Sequence, residues 1–208
     1  MPAPLLVYID DTLIVVNKPT GLPSVPGRAE GLQDCMASRV LAMAADALVV
    51  HRLDMATSGL LLFARGKAMQ RQLSHAFAQR EVGKRYVAVV AGQVAQDSGE
   101  IKLPLITDWP NRPRQKVDLE TGKPSVTRYR VLSRSAHDTR VELEPLTGRT
   151  HQLRVHLLAL GHPILGDTLY APPAVLARAS RLLLHAQSLS LVHPASGNTL
   201  QFDSPVPF

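Results

Sequence analysis

The sequence is poor in cysteine, aromatic rings and long apolar runs, and each shortage excludes a class of protein. Cys35 is the only cysteine in 208 residues, so neither an internal disulfide nor a cysteine metal cluster can form. The longest apolar stretches, such as residues 60–64, fall far short of the roughly 20 residues of a membrane span. No membrane association is therefore expected. The first residues contain no basic segment followed by an apolar core, so no secretory signal is expected and the cytoplasm is the default. Several motifs are missing too. There is no Gly-x-Gly-x-x-Gly, no phosphate loop ending in Gly-Lys-Ser/Thr, no His-Glu-x-x-His and no Gly-x-Ser-x-Gly elbow. Eight histidines are scattered. His151 and His156 are five apart, which on a helix separates them by about 140°, so they cannot share a metal without distortion. Dinucleotide, metal and serine-hydrolase chemistry all lose their usual carriers.

What is present is a basic, globular composition. Hydrophobic residues make up 45% and charged residues 19%, as in an ordinary folded domain. The net charge is +6, and arginine outnumbers lysine seventeen to six. Guanidinium grips phosphate through two parallel hydrogen bonds and stacks flat on bases, which ammonium cannot do. That bias points to a nucleic-acid partner.

The apolar pattern predicts a mixture of short strands and a few helices. Residues 13–16 form a strand that runs into a loop over 19–31, rich in glycine and proline. Leu32, Met36, Val40 and Met43 recur at helical spacing over 32–47. Residues 47–50 and 60–64 are strands flanking a polar loop, 51–59. A second helix covers 67–81 with Met69, Leu73, Ala76 and Phe77 on one face, followed by a strand over 85–90. In the second half, 140–144 alternates as a half-solvated strand, and 188–192 with 199–203 forms a hairpin around 194–198. A helix over 150–160 is stopped by Gly161 and Pro163. The expected class is α+β, with an extensive antiparallel or mixed β-sheet.

Three segments concentrate polar chemistry. His51-Arg52-Leu53-Asp54 joins two buried strands, where a rigid scaffold commonly carries a site; alternatively, Asp54 only closes a turn. On the helix over 150–160, Arg154 lies about 100° from Leu153, inside the apolar arc. A buried guanidinium cannot shed its proton, so it needs an anionic partner. Asp54, Glu144 and Asp167 are the candidates, unless the side chain reaches out to solvent. Near Asp54, such a cation would keep the carboxylate ionised. Tyr86 follows the basic pair Lys84-Arg85 and is either an ordinary strand aromatic or a platform for a base. Residues 109–116 place Trp109, Arg112, Arg114 and Lys116 in one irregular, proline-containing stretch with the composition of an RNA-contacting loop.

Taken together, four blocks resemble the RluA-type pseudouridine synthases in content and order. They are Asn17-Lys18-Pro19 with Gly21-Leu22-Pro23; His51-Arg52-Leu53-Asp54 with Thr57-Ser58-Gly59; Lys84-Arg85-Tyr86; and Gly148-Arg149-Thr150-His151-Gln152-Leu153-Arg154. His162-Pro163-Ile164-Leu165-Gly166-Asp167 and Leu183-Leu184-His185-Ala186 follow. Asp108-Trp109-Pro110-Asn111-Arg112-Pro113 and Glu120-Thr121-Gly122-Lys123-Pro124 look like the subgroup acting on both large-subunit ribosomal RNA and tRNA.

The resemblance implies a pseudouridine synthase fold: a central, mostly antiparallel mixed β-sheet in two subdomains with flanking helices and a catalytic cleft. It also implies one catalytic domain over 1–208, without the small N-terminal RNA-binding domain of many relatives. It makes Asp54 the catalytic carboxylate that attacks the nucleotide. Tyr86 becomes the group packed on the target base and a candidate for C5 proton removal, and Arg154 becomes the partner of Asp54. Arg52 would enter the stack vacated by the uridine, with His51, Trp109, Arg112, Arg114 and Lys116 as further RNA contacts. No metal or cofactor is implied. The expected partner is RNA rather than DNA, met by a monomer.

Overall fold

The computed structural model describes residues 5–27 and 33–208. Leu32, expected to open the first helix, lies outside them, as does the end of the 19–31 loop. In chain order the elements are β1 (Leu5–Ile9), β2 (Leu13–Lys18), α1 (Met36–Met43), β3 (Ala47–Val49), β4 (Ser58–Arg65), α2 (Gly66–Gln79) and β5 (Gly83–Ala91). Then come β6 (Ser98–Lys102), β7 (Leu105–Thr107), a 3-10 turn (Trp109–Asn111), β8 (Gln115–Val117), β9 (Val126–Arg134) and β10 (Asp138–Pro145). The remainder are α3 (Gln152–Ala159), α4 (Pro173–Leu176), β11 (Leu184–Val192) and β12 (Thr199–Asp203). The class is α+β with a mixed, mostly antiparallel sheet, as expected. Among the described residues no helix is long and apolar enough to cross a membrane.

The chain divides into two compact units. The first comprises the described residues up to Lys84 together with His185–Pro207. Its strands are antiparallel from β1 to β2 to β4. The far edge of β4 is shared: β3 pairs antiparallel with Phe63–Arg65, whereas β11 runs parallel beside Ser58 and Gly59 and pairs antiparallel with β12 further along, over Ser188–Val192. Alternate residues Leu13, Val15, Leu60, Leu62 and Ala64 pack with Leu73 of α2, with Leu189 and Leu191 of β11, and with Phe202. The intervening Ile14, Val16, Leu61 and Phe63 are also buried. Burial on both faces explains why β2 and β4 read as continuous apolar runs.

Helix α1 is shorter than its apolar spacing suggests. Cys35 and Ser38 form a capping box that starts it at Met36, and Ala44 is already extended. Met36 and Val40 are buried as expected, but Met43 is largely exposed.

The second unit runs from Arg85 to Leu184 and includes Phe208. Strands β5, β10, β9 and β6 form one antiparallel run. Thr139, Val141 and Leu143 of β10 are buried while Glu144 is exposed, the expected alternation. β7 and β8 make a separate hairpin. Residues 109–114 of the irregular stretch expected over 109–116 form its connection, and only Gln115 and Lys116 enter β8. Asp108 N donates to Arg114 O at 3.0 Å, closing the turn, and Gln115 pairs with Thr107. Helix α3 is buried from Gln152 through Leu157, not along one stripe only.

Candidate active site

In the first unit the segment 51–57 is held from below by its neighbours. Lys18, at the end of β2, is fully buried, and its ammonium donates to the carbonyls of Pro19 (3.0 Å), Leu22 (2.8 Å) and Met55 (3.1 Å). Thr20 Oγ1 donates to Ala56 O at 2.7 Å, and Gly21 N donates to Met55 O at 2.9 Å. Ser24 grips Leu53 twice, donating from Oγ to Leu53 O (2.7 Å) and accepting from Leu53 N (3.0 Å). The Asn17-Lys18-Pro19 block therefore acts as a clamp on the loop that bears Asp54. Thr57 N donates to Asp54 O at 3.1 Å and closes the turn. Within it Leu53 points into the core, Asp54 is half-buried and Arg52 is exposed.

His51 anchors the other end. Its ring stacks on Phe77 of α2 at 4.4 Å between centroids, tilted by 22°. Its Nε2 accepts from Leu62 N at 2.9 Å, in the stretch of β4 between the residues paired with β11 and those paired with β3. Accepting there places the ring proton on Nδ1. Desolvation first, and then nearby Lys84, push the imidazole down to about 3, so it is neutral at physiological pH. His51 thus accepts a backbone hydrogen bond and holds the start of the loop.

Immediately after the loop, Gly59 has φ +114°, and a Cβ there would lie 2.3 Å from Ala186 O of β11. Only glycine lets the two backbones approach so closely. A buried polar chain crosses the same strands. Asn17 Nδ2 donates to Ser204 Oγ (2.7 Å), which lies 3.0 Å from His185 Nε2, and His185 Nδ1 lies 2.8 Å from Ser58 Oγ. This chain had no separate signal beyond the Leu183-Leu184-His185-Ala186 block.

In the second unit Tyr86 is half-buried on β5, opposite Leu143 of β10. Arg154 is 3% exposed, as its position in the apolar arc required. Its anionic partner within the unit is Asp167, one of the three acids considered. Nε donates to Asp167 Oδ2 at 2.8 Å and Nη2 to Oδ1 at 2.7 Å. That fork uses two of the five guanidinium donors. Asp167 also accepts from Leu169 N (2.9 Å) and Tyr170 N (3.2 Å), which fixes the carboxylate.

The preceding loop is pinned by Gln152. Its Oε1 accepts from Thr147 Oγ1 (2.7 Å) and Arg149 N (3.0 Å), and its Nε2 donates to Val126 O (3.0 Å). His151 sits at φ 54°, a left-handed conformation that costs a branched or bulky residue energy and often marks a functional site. His156 turns elsewhere, its Nδ1 2.8 Å from Thr127 Oγ1 and Nε2 3.0 Å from Leu103 O, and burial lowers its pKa. Among the described residues no group of three or more His, Cys, Asp and Glu could hold a metal.

The basic hairpin presents its cations outward. Trp109 is 66% exposed with the Arg112 guanidinium 4.6 Å from its ring. Arg114 lies 5.4 Å from the Tyr170 ring, and Lys116 is exposed on β8. Tyr170 and Asp167 do not stand out in the sequence as separate site residues.

Comparison with known proteins gives these features a family. A family model described as RNA pseudouridylate synthase matches residues 12–159. The dual-specificity RNA pseudouridine synthase RluA of Escherichia coli K12 is 54% identical over 205 residues, 98% of this chain and 94% of the relative. The Yersinia pestis protein of the same name is 55% identical over 199 residues, 95% of this chain and 97% of the relative. Among solved structures, human RNA pseudouridylate synthase domain containing 1 superposes with a TM-score of 0.81 at 30% identity, covering 98% of this chain and 83% of that one. Human RNA pseudouridylate synthase domain containing 4 gives 0.79 at 29%, covering 99% and 88%. The chain belongs to the RNA pseudouridylate synthase family, as an isomerase of the RluA type.

Proposed function

We propose that the protein converts specific uridines to pseudouridine in RNA stem-loops, in large-subunit ribosomal RNA and in the anticodon arm of tRNA, with Asp54 as the catalytic carboxylate. The observation that carries this reading is the clamp on residues 51–57. Lys18, Thr20 and Ser24 immobilise the backbone around Asp54, while Arg52 stays exposed. A nucleophile must be held still to be effective.

The reaction breaks the N1–C1′ bond, turns the uracil and rejoins it through C5. Atoms and electrons are conserved, so the chemistry calls for a carboxylate able to attack or stabilise charge rather than for an electron carrier. The uridine must first leave its stack, at a cost of a few kcal/mol that is smallest in unpaired loops. Arg52 fills the gap that the base leaves. Tyr86 lies against the detached uracil and is placed to help remove the C5 proton. Arg154, already oriented by Asp167, supplies the positive charge that keeps Asp54 ionised. Trp109, Arg112, Arg114 and Lys116 meet the RNA backbone and loop bases. The working form is a cytoplasmic monomer, for which light scattering at micromolar concentration is the check.

Release of tritium from RNA labelled at uridine C5 tests the assignment. Wild-type protein should release it from intact RNA. Binding without release would make the chain a silent RNA-binding module, and shortened RNA would make it a nuclease. Arg154→Ala should lower the rate at least about a hundredfold, and Arg154→Lys should recover only part, because the fork is lost. Full activity in Arg154→Ala would remove Arg154 from the mechanism.

A further inference from the structure

Tyr170 stands where the basic hairpin meets the helix that carries Arg154. It is 6% exposed and packs with Leu105 of β7 and Val155 of α3, with Val117 and Leu158 at the margin. Its hydroxyl oxygen accepts from Gln115 N of β8 at 2.8 Å and lies 2.7 Å from His151 Nδ1. A backbone N–H can only donate, so the hydroxyl hydrogen can turn to the imidazole nitrogen. Two guanidinium carbons lie near the ring, Arg114 at 5.4 Å and Arg154 at 5.1 Å from its centroid. The backbone of Tyr170 joins in as well. Its N–H donates to Asp167 Oδ1, the oxygen that also accepts from Arg154 Nη2.

The hairpin is not packed solidly against α3. A cavity of about 200 Å³ opens between them, lined by Arg114, Lys116 and Val117 on one side and by Val155, Leu158 and Tyr170 on the other. A hairpin with free space beneath it transmits force mainly through the contacts that bridge the space. Besides the apolar packing of Leu105 and Val117, one side chain bridges the space, touching hairpin residues at its hydroxyl and ring, and the Arg154–Asp167 pair at its ring and backbone. A tyrosine serving only as core would need one partner for its hydroxyl.

We infer that Tyr170 is a positioning residue that couples RNA engagement by the β7–β8 hairpin to the orientation of Arg154. The inference rests on the reading that Arg154 serves the catalytic carboxylate. A guanidinium stacked on a ring keeps its N–H edge for a phosphate. When Arg114 takes a phosphate, its ring contact and the Gln115–Tyr170 bond settle the phenol. The phenol and its N–H then settle the Asp167–Arg154 fork. Correctly seated RNA is turned over faster, so part of the selectivity appears in kcat rather than in binding.

The test is a double-mutant cycle in kcat and KM on a labelled stem-loop RNA, using Arg114→Ala, Tyr170→Phe and the pair. Arg114→Ala should raise KM and also lower kcat about fivefold. Tyr170→Phe should lower kcat about tenfold with KM within about twofold, and the double variant should have the kcat of Tyr170→Phe alone. Losses in kcat that simply multiply would overturn the coupling. So would an Arg114→Ala effect confined to KM, and because Arg114 is exposed this result does not depend on how well Tyr170→Phe folds. The underlying reading fails separately: it falls if Arg154→Ala keeps its kcat, whereas an inactive Arg154→Ala with a multiplicative cycle removes the coupling alone.

Discussion

Lys18 and Arg154 are two buried cations, one in each compact unit, 0% and 3% exposed, and they are satisfied in opposite ways. The Lys18 ammonium donates to three backbone carbonyls, from Pro19, Leu22 and Met55. The Arg154 guanidinium forks onto a carboxylate that is itself held by two backbone N–H groups. A compact ammonium with its donors pointing apart suits the first task, drawing separate turns of chain to one point. A planar fork suits the second, because it fixes a direction and has donors beyond the two used by Asp167. Under the proposed mechanism, Lys18 belongs to the scaffold of the loop that bears Asp54 and Arg154 to the chemistry.

Lys18→Met should have the largest effect on stability. It leaves buried carbonyls without their donor, at about 1–3 kcal/mol each, and a loss of about 3–5 kcal/mol would lower Tm by roughly 10 °C or more. Thermal melts of Lys18→Met beside Arg154→Lys would sharpen the comparison: the lysine variant at 154 should melt closer to wild type yet be far less active. A Lys18→Met protein with unchanged Tm would break it.

A smaller effect is expected at the hairpin. Removing the guanidiniums of Arg112 and Arg114 should weaken RNA binding and reduce the slope of log affinity against log salt by about 2, roughly one per phosphate contact. Affinity measured at several salt concentrations checks this, and an unchanged slope would mean that these side chains do not meet phosphate.

The smallest is a pH effect at His51. Its folded value near 3 lies below the ordinary 6.5, so between these limits the unfolded chain binds a proton that the folded chain does not. Stability should therefore be complete above about pH 6.5, fall as the pH drops towards 3 and level off below. Urea unfolding at pH 4.5 and 7.5 should show a smaller acid loss in His51→Gln than in wild type. Equal losses would mean that His51 is not the group responsible.

Much of this is legible in the sequence, for identifiable reasons. The strands β2 and β4 are buried on both faces, so their apolar runs are unmistakable, and α2 carries a clear stripe around Leu73. The burial of Arg154 follows from its angle to Leu153, and its acid partner within the unit is among the three named. Other features leave weaker traces. β1 is an edge strand with Leu5, Leu6, Val7 and Ile9 substantially exposed, so no burial pattern marks it. The β7–β8 hairpin is only three residues on each side and reads as irregular. Lys18, Ser24 and Tyr170 work through contacts with residues distant in sequence, and nothing in their local spacing encodes those partners. The acceptor role of His51 depends on Leu62, which only the folded chain brings to it.

The central claim is that the carboxylate held by this clamp performs the isomerisation. Asp54→Asn keeps the side chain's size and removes its charge, so it leaves the loop intact. Tritium release and RNA affinity measured together on this variant give the most direct answer. The account predicts RNA bound as tightly as by wild type, with release reduced at least about a thousandfold. Release at the wild-type rate would contradict it.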